Sequence, residues 1–217
     1  MSKDLFIVAS YTGTVPGRLI RLRASLKFLN RYKGDGFSHV SLSRDSKLGN
    51  MMSIARKEVH NPFNAGLVIE NIRDGMFALN PSSEIAVMKL PVTEKQYSMV
   101  SQLMDEYWQH RDMYGYNFLG LTSMLVSGRG VACHNKFFCS EWVATVLRDS
   151  QIELFDGKKP KDIRPFDFYG QLQDNIVYEG LATQYPEYGD SIIPSNPSSD
   201  FSKPKILRHT FHADLRR

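Results

Sequence analysis

Cysteine is scarce in this sequence. Only Cys133 and Cys139 occur among 217 residues, whereas a disulfide-built fold uses several pairs. A bond between the two would close only a small loop, so we expect both to be free thiols. A zinc site is a further alternative, since Cys133, His134 and Cys139 offer suitable ligand types. The paired C-x-x-C spacing is absent, however, and no second pair completes four ligands. We therefore expect no metal and no cofactor.

Long hydrophobic runs are also lacking. The longest near the N-terminus, "LFIVA", covers only residues 5–9. A secretory signal needs a longer apolar core behind a basic start, and a membrane-spanning helix needs about 20 apolar residues. These absences predict a cytoplasmic protein without stable membrane insertion.

Charge of one sign is not in large excess. Lysine and arginine total 27 and the acids 23, which gives a formal net charge of +4. A dedicated nucleic-acid binder carries a heavier, clustered surplus, so no nucleic-acid partner is expected. One stretch is locally basic: the predicted helix 14–32 places Arg18, Arg21, Arg23, Lys27 and Arg31 away from its leucine face. This face is either simply solvated or a docking patch for weak contact with an anionic ligand or surface.

The arrangement of patterns predicts a single α+β domain. Short apolar or alternating runs come first and helical periodicities follow, which favours an antiparallel sheet with helices against one face. The domain is expected to cover residues 1–182, with 183–217 as a C-terminal extension and 61–66 ("NPFNAG") as a loop. The predicted strands are 4–9, 37–43 (half-buried), 51–57, 66–71 and 84–90, and the later helices are 94–110, 114–126, 139–148 and 165–175.

Cys139 begins the predicted helix 139–148 in "FFCSEWVATVL". A nucleophilic cysteine must be a thiolate, and a helix N-terminus and a nearby imidazolium are two common means of favouring that form. The backbone N–H groups of the first turn also stabilise an oxyanion. The competing interpretation is a plain core residue, because free cysteine is among the most buried residue types.

His39 is the histidine best suited to be a partner for Cys139. It lies on the alternating strand "FSHVSLS", whereas the other five histidines fall in loops, at a helix end or in the tail. A strand histidine that faces a helix N-terminus has the geometry of a Cys–His pair. Alternatively, His39 is a structural histidine with its hydrogen bonds satisfied.

Together these motifs resemble the permuted papain-like cysteine hydrolases. The nearest match is the YiiX/YaeF-like group of the NlpC-type superfamily, in which a strand bearing "HV" precedes a "CSE/CSQ-hydrophobic" helix. Here "FSHVSLS" precedes "FFCSEWVATVL" in that order, and the opening "DLFIVASYTGTVPGRLIRL" also resembles the group. The likeness spans roughly residues 4–180. It implies a circularly permuted papain-like (NlpC-type) fold.

The resemblance also implies roles for individual residues. Cys139 would be the nucleophile and His39 the general base, and a third polar residue would orient the imidazole. Ser53 on the following strand is the nearest candidate by position, with Glu70 as the alternative. Serine is a weaker orienting group than a carboxylate. Tyr11 and Tyr116 are candidates to line the substrate cleft, although core packing is the simpler role for each.

The function expected from this resemblance is a cysteine hydrolase of the peptidase or amidase type. It would cleave an amide or ester through an acyl-enzyme thioester, on a peptide, cell-wall-derived or small acyl substrate. One alternative is a catalytically weak papain-like module used for binding, because a strong orienting residue is not evident. Another is a lipid-acting acyltransferase or thioesterase that docks through the Arg18–Arg31 helix.

Overall fold

A computed structural model of the chain describes residues 2–11, 36–58 and 61–186. The predicted helix 14–32, with its arginine face, and most of the predicted C-terminal extension lie outside these residues. The described part has eight strands: β1 (Ser2–Tyr11), β2 (His39–Ser43), β3 (Met51–Glu58), β4 (Asn61–Glu70), β5 (Glu84–Thr93), β6 (Gly115–Tyr116), β7 (Lys136–Phe137) and β8 (Ile176–Leu181). Its five α-helices are α1 (Gly75–Leu79), α2 (Glu94–Gln109), α3 (Phe118–Ser127), α4 (Cys139–Asp149) and α5 (Pro165–Gln171).

All eight strands form one sheet in the order β7-β6-β4-β3-β2-β1-β5-β8. Every neighbouring pair is antiparallel except β6 and β7, which run parallel. The described chain is therefore α+β with a mostly antiparallel sheet, in agreement with the prediction. None of the helices in the described ranges has the length and apolar character needed to cross a bilayer.

The main core lies between the sheet and the helices α2, α4 and α5. Helix α4 packs against β2 and β3, and α5 packs against β1. Alternate strand residues such as Val40, Leu42 and Ile54 meet Trp142 and Val143 of α4 there. This packing places the helix that begins at Cys139 over the strand that begins at His39.

Helices do not cover only one face of the sheet, which corrects the prediction. A second, smaller core on the opposite face contains Val8 and Val87 together with Phe77 of α1 and Tyr185. Strand β2 is likewise not half-buried: Ser41 and Ser43 are buried, as are Val40 and Leu42. Both corrections arise because α1 and the chain after β8 cover a face that the alternation pattern assigns to solvent.

Several elements match their predicted positions. The hairpin of β2 and β3 is present, and Thr93 and Gln96 form the capping box that starts α2. The predicted helix 114–126 begins later, at Phe118, because the Asn117 side chain accepts the Gly120 N–H and caps it there. Helix α5 ends at Gln171, short of the predicted 175.

The predicted loop 61–66 is instead the first half of β4. Proline occurs in strands at edges and bulges, and the β3–β4 pairing shifts register between Arg56 and Glu58, opposite this part of β4. In the described pairing, this half of β4 pairs with β3, and β6 joins β4 only at Gly66. Strand β8 was not predicted, since "IVYEGL" is a half-buried edge strand with no clear alternation.

Candidate active site

Cys139 is the first residue of α4. The residue before it, Phe138, is the N-cap of the helix; its backbone is extended and its side chain is buried. Cys139 itself is 5% exposed and packs in the main core. Its thiol therefore lies at the positive end of a helix of 11 residues, where backbone N–H groups favour a negative charge.

The first turn of α4 is held by buried polar contacts. Glu141, 4% exposed, accepts the Phe138 N–H at 3.3 Å and an Asn117 Nδ2–H at 3.2 Å. Ser140 donates from its hydroxyl to the Ile163 carbonyl at 2.7 Å. Burial raises the pKa of Glu141, although the hydrogen bonds from Asn117 and Phe138 oppose this. These contacts hold the backbone immediately before and after Cys139, at Phe138 and at Ser140.

His39 is bound by a carboxylate. Its Nε2 lies 3.0 Å from both Oε1 and Oε2 of Glu70, so the imidazole N–H donates to the pair of oxygens. The side chains are 18% and 13% exposed respectively. In such a poorly hydrated position a charged pair interacts more strongly than it would at the surface. The contact fixes the ring orientation of His39.

Ser41 joins this pair from the same side of β2. Its hydroxyl donates to Glu70 Oε2, and its Oγ lies 3.3 Å from His39 Nε2. Ser41 is 1% exposed. The carboxylate is thus held by Ser41 while it holds the imidazole.

The charges of this pair stabilise each other. Burial on its own lowers the pKa of His39, but the Glu70 carboxylate and hydrogen bonds with Cys139 and Glu70 outweigh it, so the pKa lies well above its usual 6.5. Burial on its own raises the pKa of Glu70, but the positive charge of His39 and hydrogen bonds from His39 and Ser41 lower it below its usual value. The arrangement therefore favours an imidazolium beside a carboxylate.

The Cys139 thiol is close to the His39 imidazole and contributes, after the Glu70 carboxylate, to the raised pKa of His39. Because Nε2 is directed at Glu70, Nδ1 is the ring nitrogen left for the sulfur. The three side chains thus form a chain from sulfur to imidazole to carboxylate. Chemically, it can transfer a proton from a thiol to a histidine whose cationic form is stabilised.

Tyr116 lies beside the sulfur. It is on β6, paired with Phe137 of β7 two residues before Cys139, and it packs against the main core. Burial, followed by the charge of Cys139, raises the pKa of its phenol. A phenol that keeps its proton is a hydrogen-bond donor.

The other two predicted site residues are placed differently. The Ser53 hydroxyl donates to the Val40 carbonyl at 2.7 Å, and no hydrogen bond to His39 is found among its described contacts. Glu70, the alternative, is the residue that contacts the imidazole. Tyr11 is at the end of β1, where it pairs with Glu84 and packs at the edge of the main core.

Four further polar residues around the site were missed in the sequence. Ser41 had a signal, since it shares a strand face with His39, but Glu141 and Asn117 had none because their contacts cross between elements. Ser10 pairs with His39 across β1 and β2. Its buried hydroxyl has no hydrogen-bond partner among the described residues.

Neither cysteine is in a disulfide, and the described residues contain no group of three or more ligating side chains suited to a metal ion. Cys133 is half-buried, in the loop that precedes β7. The zinc alternative with Cys133, His134 and Cys139 thus gains no support from the described geometry.

In comparisons with known proteins, the chain matches no family model, no curated protein and no solved structure.

Proposed function

We propose that this chain is a cysteine hydrolase in which Cys139 is the nucleophile, His39 the general base and Glu70 the residue that orients the base. The observation that carries this proposal is the contact of His39 Nε2 with both Glu70 carboxylate oxygens at 3.0 Å, with Cys139 at the N-terminus of α4 close to the same imidazole. A nucleophile, a base within reach of it and a third group that orients the base are the minimal parts of such a site.

The proposed fold is the permuted papain-like one, as in the YiiX/YaeF-like group. Two features support it: the histidine strand precedes the cysteine helix along the chain, and α4 packs on the strand that carries His39. Fold resemblance alone does not assign an activity, so the activity is argued from the side chains.

The first half of the reaction forms an acyl-enzyme. The thiol proton resides on His39 in the resting pair, because the imidazolium is stabilised beside Glu70, and the Cys139 thiolate attacks the substrate carbonyl carbon. A carbon–sulfur bond forms while the carbonyl oxygen becomes an oxyanion. When this intermediate collapses, the bond to the leaving amine or alcohol breaks, and the His39 imidazolium returns the proton to that leaving group.

The second half releases the acid. A water molecule gives a proton to His39 and its oxygen attacks the thioester carbon. The carbon–sulfur bond then breaks, and the Cys139 thiolate leaves beside the His39 imidazolium, which restores the resting pair. Glu70 keeps the ring in place throughout and stabilises the imidazolium in both halves, which is the reason a carboxylate serves better than a serine here.

The proposed substrate is an amide or ester of a peptide or small acyl compound, with cell-wall-derived fragments as one candidate class. The alternative of a lipid-acting acyltransferase docked through Arg18–Arg31 depends on a segment outside the described residues.

The test is the rate at which iodoacetamide alkylates Cys139, measured by mass spectrometry in the Cys133→Ser background. We expect rapid reaction at neutral pH, where a free thiol with a pKa of ~8.5 is mostly protonated. His39→Ala should slow it by about tenfold or more, because the imidazolium that stabilises the thiolate is lost. His110→Ala is the matched control, since His110 is an exposed histidine at the end of α2.

The binding-module alternative makes the opposite prediction. A module that only binds has no need of a reactive thiol, so Cys139 would be slow in the parent and unchanged by His39→Ala. That result would reject the enzyme proposal. The contact of Glu70 with His39 supports the enzyme proposal over this alternative, because a carboxylate lies where an orienting group is needed.

A further inference from the structure

Large apolar side chains are exposed in one region of the protein. Of the seven exposed large hydrophobics in the described residues, five lie between positions 113 and 131: Met113 (60%), Phe118 (45%), Leu119 (63%), Val126 (60%) and Val131 (43%). Scattered apolar residues on a surface need no explanation, but a concentrated group indicates a binding surface.

Phe118, Leu119, Val126 and Val131 form what we call the α3 surface. Helix α3, "FLGLTSMLVS", carries no charged residue. The chain that follows turns back along it: Ser123 donates to the Arg129 carbonyl at 2.8 Å, and Asn117 donates to the Val131 carbonyl at 2.8 Å. Val131 is therefore beside the start of the helix, next to Phe118 and Leu119.

Two exposed cations lie at opposite ends of this surface. Arg129 follows the C-terminus of α3 and is tied to it through Ser123. Lys136 is beside Gly115, just before the helix begins. No Asp or Glu occurs in the sequence from Met113 to Ser140, and the acid that contacts this loop from elsewhere, Asp162, accepts the Gly130 N–H at 2.9 Å and is paired with Lys161 at 2.8 Å. The last acid before this stretch of sequence is Asp112, whose Oδ1 lies 3.9 Å from Lys57 Nζ.

We propose that the α3 surface docks onto an anionic lipid bilayer. Apolar side chains enter the boundary between headgroups and acyl chains, and cations beside them bind the anionic headgroups. A second copy of the chain fits less well. A twofold dimer through this surface would bring the Arg129 and Lys136 side chains of one copy against those of the other. These like charges would repel each other.

Docking there would place the candidate active site near the membrane. The Tyr116 and Phe118 rings are 4.6 Å apart, so the surface continues to the tyrosine beside Cys139. The proposal does not depend on catalysis, because it concerns only the α3 surface.

The test is cosedimentation with vesicles of phosphatidylcholine alone or mixed with phosphatidylserine, using the full chain with Cys139→Ala. This variant removes the proposed nucleophile, so binding and catalysis are measured separately. We expect binding to the mixed vesicles, weakened by salt because the headgroup attraction is screened. Absence of binding to the mixed vesicles at low salt would overturn the docking proposal and leave the hydrolase proposal intact.

Paired variants locate the contact. Leu119→Ser with Val126→Ser should reduce binding to the mixed vesicles about tenfold or more, because two apolar side chains are removed from the interface. Arg129→Gln with Lys136→Gln should weaken binding to the mixed vesicles about tenfold. The Leu79→Ser variant is the matched control, since Leu79 is 61% exposed on α1. This variant should bind the mixed vesicles as the parent does.

Three results would contradict the assignment of this surface. Leu79→Ser could weaken binding as much as the α3 pair does. Substitution of Arg18, Arg21 and Arg23 could abolish binding that the α3 pair leaves unchanged. Light scattering could also show a dimer that the α3 pair converts to a monomer, in which case a second copy covers the surface. Thermal unfolding of each variant verifies that the fold is retained.

Discussion

Glu70 holds His39 across an intervening strand. Strand β3 lies between β2 and β4 in the sheet, yet both Glu70 carboxylate oxygens are 3.0 Å from His39 Nε2. The orienting carboxylate thus comes from two strands away, whereas the neighbouring strand supplies Ser53, which bonds to the backbone instead.

Replacing Glu70 with glutamine should lower the pKa of His39. In the parent, the carboxylate is the main influence that opposes burial and raises this pKa. Without the carboxylate, the desolvation of the buried ring remains, so the neutral form of His39 is favoured. Titration of His39 by NMR measures the shift, and the alkylation rate of Cys139 should fall with it. An unchanged His39 titration in Glu70→Gln would contradict the assigned pairing.

The same pair predicts how stability depends on pH. The raised pKa of His39 contributes stability that is fully present below the unfolded value of about 6.5 and is lost as pH rises through the folded pKa. The lowered pKa of Glu70 contributes stability present above its unfolded value of about 4.3, which is lost as pH falls through the folded pKa. Urea unfolding across pH should show both dependences in the parent and lack them in the His39→Ala, Glu70→Gln double variant.

Ser41 and Ser53 provide a comparison of two buried serines. Ser41→Ala should slow Cys139 alkylation several-fold, because the Glu70 carboxylate loses a hydrogen bond that holds it against the imidazole. Ser53→Ala should leave that rate unchanged and cost about 1 kcal/mol of unfolding free energy, from the lost bond to Val40. Measurement of both quantities in both variants separates positioning from stability. The reverse pattern would assign the orienting role to Ser53.

Tyr116→Phe should reduce hydrolysis of an activated ester or amide by about tenfold or more while leaving alkylation of Cys139 nearly unchanged. Under the hydrolase proposal we expect the Tyr116 phenol, which is close to Cys139, to donate to the oxyanion that forms on the substrate, and alkylation forms no oxyanion. Steady-state kinetics and the alkylation rate measured on the same protein test this. Equal losses in both rates would show that Tyr116 acts on the thiol instead.

Glu141 should support the position of Cys139 through the backbone. Glu141→Ala removes the acceptor of the buried Phe138 N–H and the Asn117 amide, and each unsatisfied donor costs about 1–3 kcal/mol. Glu141→Gln keeps an acceptor oxygen and should lose less stability than Glu141→Ala. Part of the reason is that burial disfavours the charge of the native carboxylate. Thermal unfolding ranks the two variants, and equal losses would rule out the hydrogen-bond explanation.

Local patterns predicted the elements that carry the site. The start of α4 at Cys139 followed from its apolar periodicity, and the strand at His39 from its alternation with the hairpin that follows. These signals are local, because helix and strand periods are written in consecutive residues.

Residues that meet through the sheet were harder to predict. The choice between Ser53 and Glu70 depends on strand order and on the course of β4, whose first half was interpreted as a loop. Similarly, the exposed face of α3 follows the same apolar pattern as a buried helix, so its sequence does not indicate that solvent lies on that side.

The order of the site residues along the chain has a consequence for biogenesis. His39 and Glu70 precede Cys139 by 100 and 69 positions respectively, and α4 must close onto strands made much earlier. A ribosome therefore delivers the base and its carboxylate long before the nucleophile, and the three meet only through contacts of long sequence separation, which form slowly. A chain truncated before α4 lacks Cys139, so we expect a reactive thiol at this site only once α4 has been made and has packed against β2 and β3.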